Sequence, residues 1–142
     1  MFKKILVTID LDEEESSARV LQAAREAASD AGAQLNVMTV VPNFGMSIVG
    51  GFFPEGHAEK MLQQAQKDLH AFTEKHHDAP GDVQHVIGHG NIYEEVLAWA
   101  KKLKIDLIVV GAHRPSAADY LLGPNSARIV RHANCSVLVV RD

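Results

Sequence analysis

The chain has 142 residues, the length of one domain, and its 46 % hydrophobic content is enough to bury a core. Fourteen basic residues against eighteen acidic ones leave a formal charge of −4, which excludes the basic footprint of a nucleic-acid binder. A single cysteine, Cys135, excludes an intramolecular disulfide, and no apolar run approaches the ~18 residues that span a bilayer. With no signal-peptide core after Met1, the expectation is one cytoplasmic domain over residues 1–142, without membrane insertion.

Strands and helices alternate along the chain. Residues 5–9 (ILVTI) form a β-branched run that ends at Asp10. Asp12 reads as a helix cap with Glu15 as its capping-box partner. Leu21, Ala24, Ala28 and Ala31 then recur at helical spacing until Gly32. Residues 35–41 give a second strand closed by Pro42. Residues 43–56, rich in glycine and apolar bulk, form a long loop that is either a lid over its own domain or a ligand cover or subunit contact. A helix over residues 57–76 places Leu62, Ala65, Leu69 and Phe72 on one face, and residues 83–87 give a third strand. Gly88-His89-Gly90 reads as a tight turn into a helix capped by Asn91, with Glu94 as box partner and Ile92, Val96, Ala100 and Leu103 facing inward. Residues 106–110 and 136–140 supply the fourth and fifth strands, with a short helix between them.

Five strands with helical crossovers imply a doubly wound α/β fold with helices on both faces of a parallel sheet. Right-handed connections and one reversal after the third strand give the order 3-2-1-4-5. Strands 1 and 4 then flank a switch point, the usual ligand crevice of such folds, with Asp10 ending one and Gly111 the other. The glycine-bounded loop from Gly111 to Gly123 leads into a helix start, where unpaired N–H groups suit an anion such as phosphate.

Other chemistry is less well supported. No G-x-G-x-x-G follows the first strand, and no G-K-[ST] or G-x-S-x-G occurs. The pair His76-His77 reads as a solvated helix end, and His85 and His89 lack partners at metal-ligand spacing, so no metal site is expected. Glu13-Glu14-Glu15 reads as a solvated first turn, and Cys135 as a buried, inert thiol. His113 either donates to a phosphate or braces its loop. Asp10 suits the hydroxyls of a ribose and also the capping of its own loop. Arg114 matches phosphate oxygens with its fork, or pairs with Asp119.

The chain resembles the universal stress proteins over essentially its whole length. The likeness is carried by ILVTID at 5–10, VVP at 40–42, DLIVVG at 106–111 and above all IVRHANCSVLVVR at 129–141. The resemblance implies the five-stranded fold reached above, and ATP as ligand, with AMP or ADP as alternatives and Mg2+ as an accompanying ion. It places Asp10 on the ribose or adenine, the Val41 backbone on the adenine edge, and Gly111, Arg114, Gly123, Asn125 and Ser126 around the phosphates. ATP-binding members resemble G-x2-G-x9-G-[ST]. Here Arg114 replaces the second glycine, the spacing to Gly123 is one residue shorter, and Pro124 replaces the Ser or Thr, in a distinct HRP…YLLG version of the loop.

The function expected is a small ATP-binding stress-response or regulatory protein acting through nucleotide occupancy and contacts with an unidentified protein partner. The alternatives are a nucleotide-free interaction module and a slow ATPase or autophosphorylating protein. Efficient turnover is not expected, because no activated nucleophile is recognisable. An apolar fifth strand at the sheet edge, residues 137–140, implies a homodimer along that edge.

Overall fold

The structure is a computed structural model that describes residues 2–29, 32–42, 56–76, 83–112 and 123–141. The elements run β1 (Lys4–Thr8), α1 (Glu14–Ser29), β2 (Gln34–Val41), α2 (His57–His76), β3 (Val83–His89), α3 (Ile92–Lys102), β4 (Leu107–Gly111), α4 (Pro124–His132) and β5 (Ser136–Val140). Every strand pair is parallel and the sheet order is β3-β2-β1-β4-β5, as the crossover rules require.

The two-residue alternation of the central strands decides which helix packs where. Ile5 and Val7 join Val20, Leu21 and Ala24 of α1 and Leu69 and Phe72 of α2 on one face. Leu6, Met38, Ile108 and Val110 meet Val96 and Ala100 of α3 and Ile129 of α4 on the other. These strands are therefore covered on both sides, which is why they read as unbroken apolar runs.

Local expectations hold with a few corrections. Gly32 ends α1 in the left-handed region at φ 61°, with the Ala33 N–H reaching the Ala28 carbonyl at 3.2 Å. The start of α1 lies later than expected: the helix opens at Glu14, so Asp12 is not its cap. The Asp10 carbonyl instead takes the Glu13 N–H at 3.0 Å. Ile92, expected to face inward, is 38 % exposed, because as the first residue of α3 it lines the open crevice instead of the core. His76 is not simply solvated; it and Lys75 both reach Glu14 Oε1, at 3.0 and 2.9 Å, tying the end of α2 to the start of α1. These two contacts hold the exposed Glu14 carboxyl below its ordinary range. Cys135 is half-buried beside the second core, and burial pushes its thiol up, away from thiolate chemistry. The long loop 43–56 lies outside the described residues except for Gly56.

Candidate functional site

β1, β2 and β4 stop at the same end of the sheet, and a crevice of about 640 Å3 opens there. It lies over the β1/β4 switch point, and its volume falls within the range of roughly 300–1,000 Å3 typical of small-molecule sites. Ile9, Met38, Val96 and Ile129 give it an apolar floor.

Asp10 is placed by its own backbone. The Ser17 hydroxyl on α1 accepts from the Asp10 N–H at 2.9 Å and donates to the Asp10 carbonyl at 2.8 Å, which fixes the chain as it leaves β1. Asp10 Oδ1 accepts the Asp12 N–H at 3.0 Å, so the loop-capping role foreseen from the sequence is present. The side chain stays exposed at the crevice. Across the floor, the Thr39 hydroxyl donates to the Ile9 carbonyl at 2.9 Å and closes the gap beyond the end of β1.

The opposite wall is the start of α4. Gly123 occupies the N-cap position at φ −60° and ψ 157°, supplies no side-chain cap, and is followed by Pro124 in the first turn. Ala127 makes the helical bond back to the Gly123 carbonyl at 2.9 Å, so the Asn125 and Ser126 N–H groups precede the helical ladder. The Ser126 hydroxyl donates to the Gly111 carbonyl at 2.7 Å and pins this helix to the end of β4. Asn125 Oδ1 accepts the Tyr93 N–H at 3.3 Å and so caps the neighbouring helix, α3. Asn91, the N-cap of α3, adds a bond from the Glu94 N–H at 3.4 Å.

β3 runs further than the expected 83–87: Gly88 and His89 pair with Val40 and Val41 as part of the strand, and the turn into α3 is made at Gly90. Gly90 sits at φ 132° and donates its N–H to the Val41 carbonyl at 2.9 Å, while Glu95 Oε1 accepts the His89 N–H at 3.0 Å. Thus Val41 reaches the crevice wall with its carbonyl already engaged.

Asp10, Val41, Gly111, Gly123, Asn125 and Ser126 all line this crevice. His113 and Arg114 lie outside the described residues, as does the contact considered between Arg114 and Asp119. Sequence reasoning missed Ser17, a hydroxyl on the 17-20-21-24 inward stripe of α1. That position was its only signal. It also missed the acidic wall: Asp12, Glu13 and Asp68 join Asp10 around the mouth, while no lysine or arginine lines it among the described residues. Glu13, expected to be solvated, is half-buried at the crevice, and Asp68 comes from α2, 58 positions beyond Asp10 and invisible to local patterns. Among the described residues no three His, Cys, Asp or Glu side chains gather to hold a metal, and no helix is long and apolar enough to cross a membrane.

The profile of the Universal stress protein family matches residues 1–141. Universal stress protein A homolog 1 of Coxiella burnetii is 33 % identical over 149 residues, covering 98 % of this chain and 96 % of its own. The solved universal stress protein UspA from Lactobacillus plantarum superposes with a TM-score of 0.70 at 24 % identity, over 98 % of this chain and 97 % of that one. A universal stress protein solved in complex with cAMP gives a TM-score of 0.61 at 24 % identity, over 98 % and 96 %. Both solved relatives carry the same fold.

Proposed function

This chain belongs to the universal stress protein family, and on that premise we propose that it is a small ATP-binding regulatory protein, acting through nucleotide occupancy and contacts with a protein partner. The observation that carries this reading is the meeting, in one crevice, of the Asp10 carboxylate at the end of β1 and the uncapped start of α4 beyond β4. A carboxylate accepts the two hydroxyls of a ribose, and an uncapped helix start donates N–H groups and a positive dipole end to a phosphate. The apolar floor between them suits a base. The relative solved with cAMP supports a nucleotide in this family's fold. Any Mg2+ would travel with the phosphates.

Turnover is not part of the proposal. The Ser17, Thr39 and Ser126 hydroxyls each donate to a backbone carbonyl, at 2.8, 2.9 and 2.7 Å, so none is held against a base as a nucleophile. The protein is also proposed to pair along β5, the edge strand beside β4, where Leu138 stands 40 % exposed. A monomeric mass by light scattering at micromolar concentration contradicts that pairing.

Purified protein is denatured and its supernatant run on an anion-exchange column. Co-eluting adenine nucleotide supports the reading, and Asp10→Ala should then weaken binding in calorimetric titration with the circular dichroism unchanged. A second reading, a nucleotide-free interaction module, is favoured by Pro124, which removes one N–H from the phosphate side. No eluted nucleotide and no heat on titration would establish it.

A further inference from the structure

At the other end of the sheet from the crevice, a second cavity of about 370 Å3 opens between the C-terminal ends of α3 and α4. Its volume lies at the lower end of the roughly 300–1,000 Å3 typical of small-molecule sites. Ala100, Ile105 and Ile108 form a buried floor, and Leu97, Ala133 and the half-buried Cys135 form its walls. Apart from the thiol, the apolar lining is entirely aliphatic, and among the described residues no carboxylate lines it. Burial, and then Asp106, push the Cys135 thiol up, so it stays a neutral part of the wall. Asp106 itself commits both carboxylate oxygens to the Lys3 and Lys4 N–H groups, at 2.8 and 3.0 Å. The rim carries Lys101, Lys104 and His132. Lys102, in the same turn, lies over the Trp99 ring at 4.5 Å, whereas neither Lys101 nor Lys104 has an ion-pair or ring partner among the described residues. The chain leaves α3 through bonds from the Ile105 N–H to the Ala100 carbonyl at 2.9 Å and from the Lys104 N–H to the Lys101 carbonyl at 3.2 Å. That pairing ordinarily places glycine where Lys104 stands. Lys104 holds φ 57°, the one non-glycine residue with positive φ among the described residues. A lysine in the last turn answers the helix dipole; a lysine at this strained position keeps an ammonium at the cavity rim at some cost to the fold.

We propose that this cavity binds a medium-chain aliphatic carboxylate, with its chain on the Ala100, Ile105 and Ile108 floor and its head between the Lys101 and Lys104 ammonium groups. Charge complementarity selects an anion, because unpaired ammonium groups flank a cavity that no carboxylate lines. The aliphatic lining and small volume select an alkyl chain. The site is separate from the crevice, so its failure leaves the nucleotide reading untouched.

The test is calorimetric titration of the full chain with octanoate, hexanoate, octanol and octylammonium, followed by amide NMR with octanoate. Octanoate should bind saturably and about tenfold tighter than hexanoate, the worth of the further buried methylenes. It should bind about threefold or more tighter than octanol, whose head gains nothing from the lysines, and octylammonium should be weaker still. The Ile105, Ala133 and Cys135 resonances should move, while those of Asp10, Thr39 and Ser126 at the crevice stay. Lys104→Gly gives the sharpest check. It relieves the positive φ, so the thermal midpoint should rise while octanoate affinity falls by about two- to fivefold. Lys101→Gln should lower the affinity by a similar factor without relieving any strain. Unchanged octanoate affinity in both variants overturns the proposal, because the lysines would then hold no ligand. Octylammonium matching octanoate, shifts confined to the crevice, or no saturable binding of octanoate each overturn it as well. Movement of the same resonances as protein concentration rises without octanoate would give this face to a second copy of the chain and overturn it too.

Discussion

α3 and α4 begin side by side at the crevice rim, joined by a bond of 3.3 Å from the Tyr93 N–H to Asn125 Oδ1, yet they are finished in opposite ways. α3 has an asparagine at its N-cap and borrows a second from its neighbour. α4 has a glycine at the same position, followed by a proline. A capped start contributes to the fold, because its donors no longer seek partners. An uncapped start at a cavity wall contributes little to stability and keeps its donors for a ligand. Glycine at the N-cap is only a few tenths of a kcal/mol worse than the best residues, so leaving α4 open costs the fold little.

The largest effect expected is on the capped side. A Cβ on Gly88 would stand 2.8 Å from the Met38 methyl and 3.3 Å from the Glu95 Cβ, and both neighbours belong to the packing of α3 on the sheet. Met38 is fully buried and Glu95 is held by the His89 N–H, so Gly88→Val should tilt α3 and destabilise the protein by about 1–3 kcal/mol. Urea unfolding measures it, and an unchanged midpoint would show that α3 is not held where its cap requires. Next comes the cap itself: Asn91→Ala should cost about 1 kcal/mol in the same assay and leave nucleotide affinity nearly unchanged. Gly123→Asp inverts the pattern. It caps α4, stabilises the fold by a few tenths of a kcal/mol, and places a carboxylate at the proposed phosphate seat, so binding should fall by tenfold or more. If Gly123→Asp binds like wild type, the two helix starts do not differ in role.

The smallest effect lies away from the crevice, where α2 packs against the edge strand β3. The rings of His70 and His85 stack at 3.7 Å, and His85 Nε2 lies 3.0 Å from the Thr73 hydroxyl. That hydroxyl donates to the Leu69 carbonyl at 3.0 Å, so the His85 Nε2 carries the proton between them. Burial, and then the neighbouring His70, lower the His85 pKa from its ordinary 6.5. The unfolded chain therefore binds this proton at a higher pH than the folded one. Stability from this site is complete above about pH 6.5 and is lost as pH falls below it. His85→Gln should flatten that part of the pH profile in thermal melts, and an unflattened profile would assign the slope to other groups.

Most of the scaffold was legible because apolar periodicity and turn residues agree along the chain. α2 runs over the expected residues 57–76 and β5 over 136–140. Asn91 caps α3 as its position before an apolar stripe indicated. Errors fell at boundaries decided by tertiary bonds. α1 starts at Glu14 because Asp10, not Asp12, organises the turn, and Ile92 is drawn to the crevice rim by its place at the helix start. Part of the site was equally readable, since Asp10 and Gly111 end strands that the topology puts side by side. The acidic wall was not, because Asp68 reaches it from another helix through packing alone.

The most direct test of the difference between the two helix starts is a backbone amide titration by NMR with AMP. The Asn125 and Ser126 resonances should move downfield and saturate together, as free N–H groups gain a phosphate oxygen. Those of Tyr93 and Glu94, already bonded to Asn125 and Asn91, should move far less. Equal shifts at both helix starts, or saturating shifts at Tyr93 and Glu94 with Asn125 and Ser126 unmoved, would contradict the assignment of α4 as the phosphate seat.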